Sequence, residues 1–243
     1  MSQIFLKVLL FSLIPVFTMI VGGGFATLRK PGANLRSIIL HFAAGVVFSV
    51  VAVEILPDVI RNHSPVLATI GFVLGFMAMI GIRKLTEPSE TVRKRSTENS
   101  LPWGLLIAVA VDVLIDGLLL GIGFSAGNTE GMLLAFALSV ELLSLGMATA
   151  TELGENYASK KQAFGLVVAL ASVFLVSAIL GVTFLQSLSH QVLQIVLSFG
   201  LSALLFLVTE ELLIEAHEIE ETTWHTSAFF AGFLLFMILG MYV

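Results

Sequence analysis

The sequence has no cysteine, and only 12% of its 243 residues are charged. The absence of cysteine excludes disulfides, thiolate metal sites and a cysteine nucleophile. Soluble proteins contain roughly 25% charged residues, so the shortage of charge excludes an ordinary soluble domain. Lysine and arginine total only 12 and are scattered along the chain, and we therefore expect no nucleic-acid binding. The mean hydropathy of +1.02 instead predicts a lipid bilayer as the solvent.

Eight apolar runs are long enough to cross a bilayer, which takes about 20 helical residues. We predict an all-α integral membrane protein that forms one transmembrane domain over residues 1–243. The predicted spans are 4–27, 38–60, 64–83, 102–125, 131–155, 163–187, 190–215 and 226–243.

One longer connection divides the predicted domain. Residues 84–100 are charged and lack an apolar period, and we predict a cytoplasmic loop there. Helices 1–3 then occupy residues 1–83, helices 4 and 5 occupy 101–156, and helices 6–8 occupy 157–243.

Lysine and arginine collect on one side of this arrangement. If eight helices alternate in direction, ten of the twelve basic residues fall on the side that follows helices 1, 3 and 5. The positive-inside rule makes that side cytoplasmic. We therefore expect a multi-pass protein of the cell membrane with both termini extracytoplasmic.

The chain repeats itself at an offset of 157 residues. FAAGVVFSVVAVEILPD, from Phe42, aligns without a gap with FGLSALLFLVTEELLIE, from Phe199, and Glu54 falls on Glu211. Equivalent helices are five positions apart in the order of the chain, and because five is an odd number the two copies face opposite sides of the membrane. This predicts an inverted repeat in a 3+2+3 arrangement, with helices 1–3 and 6–8 around helices 4 and 5.

Helices 4 and 5 also resemble each other. AVAVDVLIDG (108–117) aligns with ALSVELLSLG (137–146), which places Asp112 on Glu141 and Gly117 on Gly146. In inverted-repeat transporters the substrate site lies near the midplane at the repeat interface. We therefore expect the site between helices 4 and 5.

Acidic residues lie deep within the predicted spans. A charge at the bilayer centre costs roughly 2.5–3.5 kcal/mol on insertion scales. Asp112 and Asp116 share one face of helix 4, and Glu141 lies in the middle of helix 5. No lysine or arginine lies at a depth comparable to theirs or to that of the glutamates of helices 2 and 7, so we expect no ion pairs for any of these acids. Protonation, a bound cation or a water-filled cavity remain as explanations.

Further acidic residues are candidates for lining a cation pathway. Asp58 and Glu215 lie near helix ends, where ordinary solvation is the alternative. Adjacent residues of a helix point about 100° apart, so one of the two neighbouring glutamates of helix 7 could instead reach toward the inner surface. The pathway candidates are Glu54, Asp58, Glu210, Glu211 and Glu215.

The candidate ligands are carboxylates, which suit hard or borderline divalent cations such as Mg²⁺, Mn²⁺, Ca²⁺ and Fe²⁺. We expect the metal ion as substrate, with no cofactor. The sequence has no nucleophile–base set, and we expect no enzyme activity. The five histidines fall at helix ends or in connections, and we interpret them as ordinary interfacial residues; they are His41, His63, His190, His217 and His225.

These motifs resemble those of the ZIP family of divalent metal transporters along nearly the whole chain. HFAAGVVFSVVAVEILPD is similar to the family's F-A-A-G…H-L-L-P-E pattern, with Glu54 at the histidine position. VDVLIDGLLLG is similar to H-N-x-P-E/D-G-x-x-x-G, with Asp112 at the histidine and Asp116 at the acidic ligand. VELLSLGMA is similar to H/Q-N/D-x-P-E-G-L-A, with Glu141 at the His/Gln position. TEELLIE is similar to H-E-x-x-P-E, with its three glutamates at the histidine and the two glutamate positions.

The resemblance implies eight helices with both termini outside and a transport site on helices 4 and 5. It also implies import of Zn²⁺, Fe²⁺, Mn²⁺ or related ions into the cytoplasm. The family often holds two metals, but Val113, Leu142 and Leu145 stand at three polar positions of the pattern, so we expect a single metal. Ile115 and Ser144 replace two prolines, which predicts straighter helices 4 and 5.

Two alternatives remain open. The carboxylates could serve a proton relay in a carrier of another solute. Alternatively, the hydrophobic replacements at Leu142 and Leu145 suit a non-transporting protein of ZIP fold. Small residues on helix 3, namely Gly71, Gly75 and Gly81, allow close packing within the chain or in a homodimer.

Overall fold

The computed structural model describes residues 3–29, 32–61, 64–86, 103–156, 158–185, 188–217, 219 and 222–242. These residues form eight helices that are long and apolar enough to cross a membrane, and no strand occurs among them. The helices are α1 (Gln3–Leu28), α2 (Ala33–Arg61), α3 (Pro65–Thr86), α4 (Trp103–Ala126), α5 (Asn128–Asn156), α6 (Lys160–Leu185), α7 (residues 190–216) and α8 (Thr223–Tyr242). The predicted all-helical multi-pass architecture is confirmed.

Several helices begin earlier or end later than their apolar runs. α2 begins at Ala33 rather than residue 38, and α5 begins at Asn128 rather than 131. Polar first turns can continue a helix beyond the hydrocarbon core, where hydropathy gives no signal for them. α3 likewise continues through Thr86, so the start of the predicted loop is helical. Residues 87–100 of that loop lie outside the described residues.

α2 and α7 each contain a π-helical turn, which is wider than an α-helical turn by one residue. In α2 this turn is Val51–Ile55, and in α7 it is Leu207–Leu212. At the offset of 157, Val51–Ile55 falls on residues 208–212, so the two π turns coincide in the sequence repeat. Pro57 follows the first turn closely, but no proline lies near the second. Each turn carries one member of the aligned pair Glu54 and Glu211.

Four helix pairs pack most extensively: α1 with α5, α4 with α6, α2 with α8, and α3 with α7. Glycine brings the backbones together in every pair, because an added Cβ would overlap a carbonyl oxygen of the facing helix. The glycines and their facing carbonyl residues are Gly22 with Leu143, Gly146 with Met19, Gly117 with Phe174, Gly45 with Phe229, Gly232 with Phe42, Gly71 with Ile195 and Gly75 with Phe199. Gly71 and Gly75 therefore serve packing within the chain, whereas Gly81 faces open space.

These pairs combine into two groups of four helices. α1 also packs on α6 and α4 on α5, which joins α1, α4, α5 and α6. α2 packs along α7, which joins α2, α3, α7 and α8. The groups meet mainly where α2 contacts α5 and where α4 contacts α7. α2, α5 and α7 are the most buried helices, whereas α3 and α8 expose most of their apolar side chains, as lipid-facing helices do.

Candidate metal site

Three carboxylates converge where α4 and α5 pack together. Asp112 and Asp116 lie one turn apart on α4, and Glu141 reaches them from the middle of α5. One oxygen from each lies within 4.8 Å of the other two. Asp116 and Glu141 are only 1% and 2% exposed, and Asp112 is half-buried. The structure thus brings together the three residues that the sequence proposes as metal ligands.

Two oxygens of this cluster lack a partner. Asp116 Oδ2 and Glu141 Oε2 are buried and accept no hydrogen bond. Among the described residues, no lysine or arginine forms an ion pair with Asp112, Asp116 or Glu141. Buried carboxylates are found paired, hydrogen-bonded or coordinating a metal, because leaving them unsatisfied costs free energy. The cluster therefore has the chemistry of a cation site, with acceptor oxygens aimed at one another.

Glu211 lies close to this cluster. Its side chain interacts electrostatically with those of Asp112, Asp116 and Glu141. The sequence places Glu211 on the inner side of a pathway, but nothing in the sequence places it beside the central cluster. It reaches the cluster from the π turn of α7.

Three pathway candidates have arginine partners instead. Arg83 forms an ion pair with Glu210, Arg36 forms one with Glu215, and Arg61 Nη1 lies 3.9 Å from Asp58 Oδ1. The expectation that no lysine or arginine neutralises the acidic residues is therefore wrong for Glu210 and Glu215. Arginine side chains at helix ends extend along apolar surface, so the depth of a Cα atom underestimates how far the guanidinium reaches. These pairs weaken the case for Asp58, Glu210 and Glu215 as metal ligands.

Glu54 lies apart from the central cluster. Its electrostatic neighbours are Glu130 and Asp58, both toward the predicted outer end. A Cβ added to Gly240 would overlap Glu54 Oε1 and would lie 3.7 Å from Leu133 Cδ1. Glu54 and Glu211 are equivalent in the sequence repeat, yet only Glu211 joins the central carboxylates in this structure.

Removing one partner of the Arg36–Glu215 ion pair should cost more stability than removing the other. Glu215 interacts unfavourably with Asp112 and Glu141, and Arg36 offsets its charge. We expect Arg36→Gln to lower the free energy of unfolding more than Glu215→Gln does, because only the first leaves an uncompensated carboxylate. A double-mutant cycle read by thermal unfolding in detergent should give a coupling energy of about 1 kcal/mol. Equal losses from the two single variants would contradict this account.

Three histidines form a cluster that the sequence does not predict. The ring of His41 lies 5.2 Å from that of His217 and 5.6 Å from that of His225, centre to centre. His41 and His225 are buried, at 3% and 2% exposure, so they are not ordinary interfacial residues. The available signal was their position in the sequence, since all three fall on the predicted inner side, near the starts of predicted helices 2 and 8 and the end of predicted helix 7. The side chains of His63 and His190 lie outside the described residues.

Buried hydrophobic side chains occupy two positions at which the ZIP pattern has polar residues. Val113 and Leu142 are fully buried, so neither supplies a ligand for a second metal. α4 and α5 are continuous α-helices over Trp103–Ala126 and Asn128–Asn156, whereas the straighter course expected from the loss of both prolines stays a prediction. Ser144 Oγ, one turn after Glu141, is buried without a hydrogen-bond partner. The chain matches no protein-family model and no curated protein sequence.

Proposed function

We propose that the protein is a ZIP-like transporter that moves a divalent metal ion into the cytoplasm. Asp112, Asp116 and Glu141 would bind one ion between α4 and α5. The observation that carries this proposal is the convergence of three carboxylates. Two of them, Asp116 and Glu141, are almost fully buried, and each of these two has an oxygen without a hydrogen-bond partner. A chain that places such a cluster inside apolar helices, without an ion pair from any described base, is built to receive a cation there.

The helix packing supports the inverted-repeat arrangement that we propose with this function. α1–α5 and α6–α4 are equivalent pairs under the repeat, as are α2–α8 and α7–α3, and all four pack extensively. The coincident π turns of α2 and α7 support the same equivalence. In such folds one group of helices moves against another around a central site. Both termini would lie outside the cell membrane, as the basic residues indicate.

The donor set favours hard divalent ions. The central cluster and Glu211 offer only carboxylate oxygens, the donors that suit Mn²⁺, Mg²⁺, Ca²⁺ and Fe²⁺. Zinc sites more often include histidine or cysteine, and the chain has no cysteine. We therefore expect Mn²⁺ or Fe²⁺ to be carried at least as well as Zn²⁺.

The test is flux of Mn²⁺, Fe²⁺, Co²⁺, Zn²⁺ and Cd²⁺ into liposomes that hold the purified protein. We expect saturable uptake that is lost in the Asp112→Ala/Asp116→Ala variant, because two of three ligands are removed. The variant must elute as a folded protein in size-exclusion chromatography. Equal flux in the variant and the unmodified protein would overturn the site assignment.

A proton-coupled carrier of another solute is the second candidate. The close approach of Asp112, Asp116 and Glu141 favours it, because carboxyl groups within a membrane can also form a proton relay. That function predicts uptake that chelators do not change and that collapses with the proton gradient. A non-transporting protein of the same fold would give no flux of any ion, although a metal could still bind.

A further inference from the structure

A groove separates α3 from α7 toward the predicted cytoplasmic side. The two helices run in the same direction and approach closely in their first halves, where Gly71 faces the carbonyl of Ile195 and Gly75 faces that of Phe199. Later in α3, a Cβ added to Gly81 would meet nothing within 4 Å. Side chains rather than glycines therefore set the distance between the helices beyond Gly75, and they leave a cavity of about 590 Å³.

The lining of this groove changes from aromatic to charged along its length. Phe72 and Phe76 of α3 and Phe206 of α7 form an apolar wall, and the charged side chains follow at the inner end; they are Arg83, Lys84 and Glu210. Lys84 ends the apolar span of α3, so these charges lie where the hydrocarbon core gives way to lipid headgroups. An apolar wall below a cationic mouth matches the two parts of a phospholipid.

A buried hydroxyl adds a polar requirement. Ser202 of α7 also lines the groove, and its Oγ is buried without a hydrogen-bond partner. Such atoms are rare in proteins, because an unsatisfied polar group costs free energy. An ester carbonyl of a phospholipid can accept this hydrogen bond, whereas a bare hydrocarbon chain cannot.

We infer that this groove binds one anionic phospholipid of the cytoplasmic leaflet. Its acyl chain lies against the three phenylalanines, and its phosphate binds Arg83 and Lys84. Basic pockets between transmembrane helices on the cytoplasmic side hold anionic headgroups in this way. The inference does not depend on the proposed transport function, since the groove includes none of the three central carboxylates.

Arg83 can hold a carboxylate and a phosphate at the same time. Its guanidinium forms an ion pair with Glu210, but a guanidinium has five N–H donors in a planar fork that suits phosphate oxygens. The ion pair also restrains the arginine side chain, so less conformational entropy is lost when a phosphate binds. Arg83 and Lys84 against the single Glu210 leave one net positive charge among these three lining residues, which favours an anionic headgroup.

The same charge argues against a second copy of the chain as the occupant. In a twofold-symmetric dimer the same surface patch meets itself. A dimer formed through this groove would therefore bring two cationic mouths together. A phospholipid with a negative headgroup neutralises the mouth instead.

The small number of tryptophans allows a fluorescence test in liposomes. Replacing both of them, in Trp103→Phe/Trp224→Phe, leaves a full-length chain without tryptophan, and Phe76→Trp then places one in the groove. We expect phosphatidylglycerol with brominated chains to quench this tryptophan with an association constant roughly tenfold above that of brominated phosphatidylcholine. The reason is that each basic residue near the surface favours an anionic lipid severalfold. Leu235→Trp on α8 is the matched control, because Leu235 and Phe76 are both 47% exposed; the two lipids should quench it equally.

Charge variants separate the groove from general attraction to the membrane surface. Arg83→Gln/Lys84→Gln should abolish the preference for phosphatidylglycerol at Phe76→Trp. Lys160→Gln/Lys161→Gln removes the same charge from the exposed start of α6, also on the predicted cytoplasmic side, and should keep the preference. Because Arg83→Gln leaves Glu210 without this partner, Lys84→Gln alone is the second variant. It should lower the preference severalfold while the ion pair stays intact. Inorganic phosphate at constant ionic strength should not change the preference.

Four results would overturn the inference. The first is equal quenching of Phe76→Trp by the two lipids, and the second is the same preference at Leu235→Trp. The third is a preference that Lys160→Gln/Lys161→Gln lowers as much as Lys84→Gln, which would mean general surface attraction, or that inorganic phosphate abolishes, which would mean a free anion. The fourth is weak quenching by both lipids together with thiol cross-linking of Phe76→Cys between two copies, which would mean that a second copy covers the groove. A roughly tenfold preference confined to Phe76→Trp and lowered in Lys84→Gln would establish the site.

Discussion

The Asp116→Asn variant should fold as stably as the unmodified protein and yet lose divalent metal uptake. Asparagine has nearly the shape of aspartate, so packing around this almost fully buried side chain is preserved. The substitution also removes one carboxyl group from the cluster of three, and we expect no loss in the free energy of unfolding without metal. Uptake should fall by more than about a hundredfold, since changes to groups that merely support a ligand already cost roughly ten- to a hundredfold.

Metal-induced stabilisation gives an independent reading of the same variant. A ligand that binds only the folded state at a hundred times its Kd stabilises that state by about 2.7 kcal/mol. Mn²⁺ should therefore raise the Tm of the unmodified protein and leave that of Asp116→Asn unchanged. Glu152→Gln is the matched control, because it removes a carboxylate from the exposed end of α5. A variant that keeps both uptake and the Mn²⁺-induced rise in Tm would show that Asp116 is not a ligand.

The second large effect concerns the packing of α1 against α5. In Gly146→Ala the new Cβ would overlap the carbonyl oxygen of Met19, which is backbone and cannot rotate away. The helices must separate, and overpacking of this kind costs about 1–3 kcal/mol. Because Gly146 lies five residues after Glu141, separation also displaces a proposed ligand. We expect Gly146→Ala to lower both the Tm and the initial rate of metal uptake.

Gly154 supplies the matched control on the same helix. A Cβ at Gly154 meets nothing within 4 Å, and alanine is a better helix former than glycine by roughly 0.5–1 kcal/mol. Gly154→Ala should therefore raise the Tm slightly, or leave it unchanged, and preserve uptake. Thermal unfolding of both variants in one detergent checks that Gly146→Ala lowers the Tm and that Gly154→Ala does not. A Gly146→Ala protein as stable as Gly154→Ala would mean that α1 and α5 do not approach as closely as described.

Hydropathy and depth account for what the sequence predicts well. The eight spans follow from apolar length, because lipid requires long uninterrupted helices. The convergence of Asp112, Asp116 and Glu141 could be expected because each lies mid-span, where an unsupported charge is costly. The helix limits were less accurate, since polar first turns such as that of α2 carry no hydropathy signal.

Tertiary packing accounts for the features that the sequence does not predict. The ion pairs of Glu210 and Glu215 depend on how far two arginine side chains extend, which residue position alone does not give. The histidine cluster depends on the first half of α2 lying beside the end of α7 and the start of α8. No proline or glycine lies next to the π turn of α7, so the sequence gives no signal for it. The different environments of Glu54 and Glu211 cannot come from the repeat, which makes the two residues equivalent.

The paired π turns also mark where the length of these helices can change through insertion and deletion. A π turn holds one residue more than an α turn. Deleting one residue within Val51–Ile55 could therefore return the turn to α-helical geometry with little rotation of the following residues relative to Gly45, which fixes the helix on α8. Deleting one residue elsewhere in the middle of α2 would instead rotate the following residues by about 100°. A homologous chain could therefore lose the extra residue of either π turn, whereas a single-residue indel elsewhere in the middle of α2 would have to be compensated in the rest of the fold.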